Sequence, residues 1–335
     1  PLQNHNPEWT AAAAVEFIEQ HKEEPFYLHY CTTLLHGPNG SWYKSLDKPK
    51  VTGEGIIKED LKVLPPRNSV MKRIEAAGLT SNQAGYLWMD DSLGLILDKL
   101  DELKLTQNTL VLFIADHGSG NKGSLYTSKG TEVPCIMRWP AGMKSGIRSR
   151  ELIQNTDFVP TWFELANAKK PAKYLMDGTS LTPLFQQPHK PVRKHVYAEI
   201  GAARSIKTKT HSYIALRYTK EQVTGVKERH RRHLKALTGL SGGVSRSIAT
   251  HPHAYTGDQL YDLEHDPDAQ RNLAGSSSHA AVLRQLKQNL AMELKRFPER
   301  PYGEFVPGGN ALPGKGYDEV FETLRKAAAT KKKKK

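Results

Sequence analysis

The run Thr109-Leu-Val-Leu-Phe-Ile-Ala115 constrains this chain more than any other feature, and it leads directly into Asp116-His117-Gly118-Ser119-Gly120. A near-continuous apolar run without alternation suits a parallel strand covered on both faces. Upstream, from Gln83 to Leu103, the apolar residues Tyr86, Met89, Leu93, Ile96, Leu97, Leu100 and Leu103 recur at spacings of three and four. That spacing describes one face of a helix. A helix feeding a doubly covered strand is the alternation expected of an α/β fold. Polar residues just past the carboxyl end of such a strand stand where open α/β sheets place their ligand sites.

The rest of the chain fits around this unit. Trp9–His21 reads as an amphipathic helix and Phe26–Thr32 as a strand. A loop-like stretch rich in Gly, Pro and Lys follows, from Gly37 to Pro66, long enough to be functional or an insertion. Val133–Trp139 reads as another strand and Gln154–Ala166 as a helix with Asp157, Thr161 and Glu164 on its polar side. Beyond them the strands shorten, at His195–Ile200, Ser212–Tyr218 and Gln259–Leu263, which predicts a small antiparallel sheet. Ala280–Arg296 closes the pattern as an amphipathic helix. At 335 residues the chain is long enough for two domains, or for one large domain with an appendage.

Composition narrows the classes. No run of 18 apolar residues occurs, so no membrane span is expected. Pro1–Thr10 has neither a basic nor an apolar leader region, so any export signal is expected to have been removed or to lie outside this piece. The two cysteines, Cys31 and Cys135, cannot build a disulfide framework or a cysteine zinc cluster, and they are expected to be small buried hydrophobes. The formal charge of +13 hints at polyanions, but Lys331–Lys335 supplies five of it, leaving +8 for the rest. That tail reads as a disordered end, and the basic cluster Lys227–Lys235 as a solvated helix face.

Past the strand end, in a Gly-flanked turn, Asp116 and His117 can converge on one ion, since carboxylate and imidazole both ligate divalent metals. The plain alternative is a turn of solvated polar groups. Lys122 could supply a cation for an anionic substrate. His36, in Leu35-His-Gly-Pro38, follows the strand Phe26–Thr32 just as Asp116 follows its own, and so occupies the same topological position. The alternative for it is a surface histidine without a role. Asp90-Asp91 lies mid-helix, where neighbours do not face each other, and is not read as a paired-carboxylate site. Trp139 and Trp162 are read as packing residues.

Taken in order, these segments resemble the sulfatase family of the alkaline-phosphatase-like superfamily, particularly the planctomycete-type bacterial arylsulfatases. The resemblance runs from about Trp9 to Gly309. It is carried by Pro25-Phe-Tyr-Leu28 with His36-Gly-Pro38, by Tyr86 to Leu100, and by Asn108-Thr-Leu-Val-Leu-Phe-Ile-Ala-Asp-His-Gly118. Lys122-Gly-Ser-Leu-Tyr126, Val133-Pro134, Arg138-Trp-Pro140 and Gln259-Leu-Tyr-Asp-Leu-Glu-His-Asp-Pro267 with Asn272-Leu273 continue it. The resemblance implies an alkaline-phosphatase-like, mostly parallel sheet with flanking helices, plus a small C-terminal antiparallel sheet and helix. It implies hydrolysis of sulfate esters by a hydrated formylglycine made from Cys or Ser in a C/S-x-P-x-R motif, assisted by Ca2+. On that basis Asp116 and His117 match metal ligands, His36 a sulfate-contacting histidine and Lys122 the active-site lysine.

Three departures shape the expectation. Many relatives carry Asn where His117 stands, which opens a leaving-group or sulfate contact for this histidine instead. The stretch from Lys122 to Pro134 is one residue longer than usual, which keeps Lys129 as a second candidate lysine. Neither Cys31 nor Cys135 begins a C-x-P-x-R motif, and neither a serine equivalent nor an early Asp-Asp pair occurs. The chain therefore reads as the C-terminal part of a sulfatase, with formylglycine expected in a preceding portion and little activity alone. Residues 1–190 are expected to belong to the catalytic α/β domain, 191–310 to a C-terminal subdomain and 311–335 to a basic tail. The expected partner is a sulfated small molecule or polysaccharide, with no specific nucleic acid, and periplasmic or secreted localisation follows from family analogy. The oligomeric state stays open. Two other functions remain: a phosphodiesterase or phosphonate hydrolase of the same superfamily, and a non-catalytic polyanion-binding protein.

Overall fold

The computed structural model describes residues 5–36, 42–52, 55–59, 61–118, 124–126, 128–217, 249–296 and 326. The chain divides into two compact units, Pro1–Val111 with Arg138–Met143, and Leu112–Met137 with Lys144–Lys335.

In the first unit, α1 (Pro7–Gln20) starts where Asn6 Oδ1 accepts from the Trp9 amide at 3.2 Å and Pro7 occupies the first turn. This cap satisfies one amide that has no partner inside the helix, and proline loses nothing there. Helix α2 (Arg67–Ala76), absent from the sequence expectation, and the long α3 (Ala84–Glu102) complete the helical layer. One core joins Ala14 and Ile18 of α1 to Ile96 and Leu100 of α3. A second gathers Leu34, Trp42, Val70, Ile74, Ala84 and Trp88. Gly85 is required there, because a Cβ would stand 2.7 Å from the Trp42 ring. Arg67 binds both carboxylate oxygens of Glu8 and lies 4.6 Å from the Trp88 ring centroid. Within the Gly37–Pro66 stretch, β1 (Val51–Thr52) and β2 (Gly55–Ile56) form a short antiparallel hairpin.

Phe26–Thr32 pairs with no strand among the described residues. Phe26, Leu28 and Tyr30 still pack inward on the α1–α3 core. The alternate residues point out, with Tyr27 69% exposed. Cys31 lies on that outward side and is exposed, which corrects the expectation of burial, while Cys135 is half-buried. Trp139 packs as expected, so closely over Gly142 that a Cβ there would meet its ring at 2.1 Å.

The apolar run forms β3 (Val111–Ile114), which pairs with β4 (Cys135–Arg138) in a two-stranded sheet. Among the described residues no further strand joins this pair, where a mostly parallel sheet was expected. Every β3 residue is only half-buried and Ile136 of β4 is 63% exposed. In the second unit, α4 (Ser128–Thr131) is a single turn. Of the helix expected over Gln154–Ala166, the α-helical part is α5 (Phe158–Leu165), preceded by a 3-10 turn at Asn155–Asp157. The Asp157 carboxylate accepts the Gln154 and Thr179 amides and pairs with Arg193. Trp162 stacks on Phe158 as a packing residue.

After α6 (Thr182–Gln186), the strands β5 (Val196–Ile200), β6 (Ala203–Lys207), β7 (His211–Leu216) and β8 (Asp258–Asp262) form an antiparallel sheet in sequential order. Strand β6 was not foreseen, because Arg204 and Ser205 break an apolar reading, yet both are buried. Helix α7 (Ala280–Lys295) sets Leu286, Leu290 and Leu294 against Ile206, Tyr213, Ala215 and Leu260.

Candidate functional site

Each candidate residue is placed by the element before it. His36 ends a turn that leaves the extended Phe26–Thr32 segment, and its amide donates to the Thr33 carbonyl at 3.3 Å. Leu34 is buried in the second core, Leu35 takes a φ of 68°, and His36 is exposed. A positive φ at the third position of a turn ordinarily selects Gly or Asn. A leucine persists there because its side chain packs on the Leu34–Trp42 cluster.

Asp116 and His117 follow β3 in the second unit. The Asp116 carboxylate is 85% exposed, and its Oδ2 lies 3.6 Å from His117 Nε2. His117 Nδ1 is 2.8 Å from the Gly118 carbonyl oxygen, so this ring nitrogen donates and the other faces Asp116. Among the described residues no group of three or more His, Cys, Asp and Glu side chains gathers as a metal shell. Asp116 suits a hard cation as one oxygen ligand. The Gly118 carbonyl occupies only Nδ1 of His117 and leaves Nε2 as its ligating atom, though imidazole is an unusual ligand for a hard, oxygen-preferring cation. Lys122, the basic cluster 227–235 and the tail 331–335 lie outside the described residues. Lys129 is on α4, and its side chain is not described.

The sequence reading missed what fixes these segments. Of Lys122-Gly-Ser-Leu-Tyr126, the residues Ser124, Leu125 and Tyr126 are buried. Tyr126 Oη donates to the Ala254 carbonyl at 2.7 Å, and Gln259 Nε2 donates to Tyr126 Oη at 3.3 Å. Tyr261 Oη in turn donates to Gln259 Oε1 at 2.5 Å. Burial drives the Tyr126 and Tyr261 hydroxyls far above their ordinary range, so both stay protonated donors. Two motifs 133 residues apart thus meet in one network. Gly130 belongs to the same packing, since a Cβ would stand 2.2 Å from the Ser124 carbonyl oxygen. Asp91, the tempting carboxylate on α3, pairs with Arg73 at 2.5 Å and is structural.

The second unit also holds a cavity of about 250 Å3, lined among others by Gln154, Asp177, Arg193, Glu199, Glu293 and Arg296. None of the candidate site residues lines it. Its charged groups pair with neighbours: Glu293 with His195 at 2.9 Å and with Arg296 at 2.9 Å, and Arg193 with Asp157. The His195 bond lowers the Glu293 carboxyl despite burial, with Arg296 adding to it.

Comparison with known proteins gives a consistent answer. Residues 3–168 match the sulfatase family model, and residues 115–222 match the C-terminal model of N-sulphoglucosamine sulphohydrolase. An ulvan-active sulfatase of Formosa agariphila is 32% identical over 291 residues, covering 82% of this chain and 52% of the relative. Human arylsulfatase A is 25% identical over 289 residues, covering 80% of this chain and 48% of the relative. The chain thus spans about half the length of these relatives. A solved structure in complex with D-glucosamine-2-N,6-O-disulfate aligns at a TM-score of 0.56 and 16% identity, over 91% of this chain and 71% of that one. Another, from work on glycosaminoglycan metabolism by Bacteroides thetaiotaomicron, aligns at 0.57 and 22% identity, over 84% and 53%. At these identities the structural matches speak to the fold, which is the α/β fold expected.

Proposed function

This chain belongs to the sulfatase family, and on that premise we propose that it supplies the C-terminal part of a hydrolase of sulfate esters. The observation that carries the proposal is the turn after β3, where Asp116 presents an open carboxylate beside His117 inside the segment matched to the sulfatase model. In this reading Asp116 is one oxygen ligand of a calcium ion, which when bound would neutralise charge on the sulfate oxygens. His117, whose imidazole suits that ion poorly, contacts sulfate or the leaving-group oxygen. His36 hydrogen-bonds a sulfate oxygen, and either Lys122 or Lys129 supplies the cation that offsets the developing charge. Residues 1–190 serve as part of the catalytic domain and 191–310 as the C-terminal subdomain. Sulfated sugars or polysaccharides are the substrate class, supported by the ulvan-active relative and the disulfated glucosamine complex. Periplasmic or secreted localisation fits that class, and no described helix is long and apolar enough to cross a membrane.

Neither cysteine begins a C-x-P-x-R motif, so the nucleophile is not among these residues. Catalytic groups that act as a unit fail together when one is missing. The 335-residue chain is therefore expected to turn over an aryl sulfate negligibly, even with calcium. Saturable, calcium-dependent turnover abolished by Asp116→Ala would overturn this. Joined to an upstream segment that bears the nucleophile motif, the chain is expected to cleave sulfate monoesters faster than phosphate diesters. The reverse preference would favour a phosphodiesterase.

A further inference from the structure

The first unit contains a histidine that no motif pointed to. His5 precedes the cap of α1 and is 1% exposed. Its amide donates to Ser45 Oγ at 3.1 Å, and its Nδ1 lies 3.0 Å from Thr33 Oγ1. The same ring also lies against His36 and interacts with it electrostatically. One imidazole thus bonds the first residue of the Thr33–His36 turn and lies beside its last, the turn itself being closed by the 3.3 Å bond from the His36 amide to the Thr33 carbonyl. Leu34 is tied to Thr32, whose Oγ1 accepts its amide at 3.1 Å. A buried imidazole is an expensive way to fill space, because each of its nitrogens must find a partner. Here the partner of Nδ1, Thr33, belongs to the turn that ends in the exposed His36.

We propose that His5 is a positioning residue for His36: through Thr33 it fixes the turn that aims the His36 imidazole. A short turn with a left-handed leucine would otherwise sample other backbone states, and the His36 ring would move with them. A side chain used to hold an anion must have its own position locked by such support to be effective. Burial lowers the affinity of His5 for a proton and the neighbouring His36 charge adds to this, so the brace stays neutral and keeps one donor and one acceptor nitrogen. The proposal rests on the sulfatase reading for the use of His36, but not for the brace itself.

Imidazole 15N–1H NMR on the 335-residue chain separates the two. In the wild type, His5 is expected to show one fixed neutral tautomer at pH 7.5, and the His36 amide slowed hydrogen exchange. His5→Ala, with far-UV dichroism unchanged, should raise the His36 amide exchange rate at least tenfold and move its imidazole shifts to random-coil values. His5→Gln, which retains a donor and an acceptor, should restore at least half of the protection. Thr33→Val, which removes the partner of His5 Nδ1 while leaving the ring in place, should loosen the same amide and shift the His5 ring resonances. Wild-type exchange and shifts at His36 in a folded His5→Ala chain would overturn the proposal. If His5→Ala fails to fold, Thr33→Val decides: an unchanged His36 amide overturns it, and a loosened one supports it. Titration with inorganic sulfate then tests the reading beneath: a wild-type His36 resonance that does not move removes the sulfate contact while leaving the brace intact.

Discussion

The antiparallel sheet β5–β8 and the strand pair β3–β4 differ in a way that composition does not foretell. Strand β6 carries Arg204 and Ser205, yet its first four residues are buried. Strand β3 is Val-Leu-Phe-Ile, yet none of its residues is fully buried. The difference lies in what covers each sheet. Helix α7 closes one face of β5–β8 with a leucine ladder, and Asp258 on β8 receives Arg217, Lys287 and the Tyr213 hydroxyl. Apolar strands suited to cover on both faces stand half-open in β3, β4 and Phe26–Thr32. The C-terminal sheet has its core among the described residues, whereas the β3 pair has a sequence written for neighbours that these residues do not supply.

The largest effect that could break this comparison is a core truncation. Leu290→Ala, beneath β6–β8, should cost about 2–5 kcal/mol in urea unfolding. Phe113→Ala on half-open β3 should cost less than half as much. Equal losses would mean that β3 is as well packed as the C-terminal sheet.

Asp258→Asn comes next, at about 1–2 kcal/mol, discounted because the carboxylate is partly exposed. Burial alone would raise the Asp258 carboxyl, but Arg217, Lys287 and Tyr213 outweigh it and hold it at about 2, against 3.8 ordinarily. A lowered carboxyl stabilises the fold above its ordinary value, and that contribution disappears as pH falls from 3.8 towards 2. Acid titration of unfolding should therefore be steeper for the wild type than for Asp258→Asn, and parallel curves would remove the carboxylate from the account.

A smaller effect belongs to His251, buried beside Tyr126 and lowered in proton affinity by burial, with Asp268 opposing. The unfolded chain then binds the extra proton, so stability is complete above about pH 6.5 and declines below it, by about 1 kcal/mol or less. His251→Phe should flatten that limb in thermal melts, and an unaltered slope would count against it. The smallest change in stability is expected on the open segment. Tyr27→Lys should alter unfolding by under about 0.5 kcal/mol but reduce self-association in sedimentation, because a charge on an unpaired strand blocks edge pairing. An unfolding change above about 0.5 kcal/mol would mean that Tyr27 packs in solution and that the segment is not open.

Much of this was readable from residue order. The periodicity from Tyr86 to Leu103 gave α3 nearly to its ends, and the shortened strands after His195 gave three of the four C-terminal strands. Two elements escaped for physical reasons. Strand β6 is polar in sequence because Arg204 is buried while hydrogen-bonding main-chain carbonyls of Gly201 and Ala203. Helix α2 carries Val70 and Ile74 as its buried apolar residues, too few for a pattern. Asp116 and His36 were singled out because each follows an apolar run, and each is exposed where its segment ends. His5 and the Tyr126–Gln259 bond were not, since partners 28 and 133 residues apart leave no local trace.

The sequence by itself determined the alternation of elements, the family motifs and the polar residues at strand ends, because these depend on local periodicity and on chemistry written in order. Tertiary structure alone decided which strands are covered, that Cys31 faces outward and Asp91 pairs with Arg73. It also decided which buried groups brace the turn at His36 and the Ser124–Tyr126 segment. Burial and hydrogen bonding are properties of neighbours in space, and the chain names its neighbours only once it has folded.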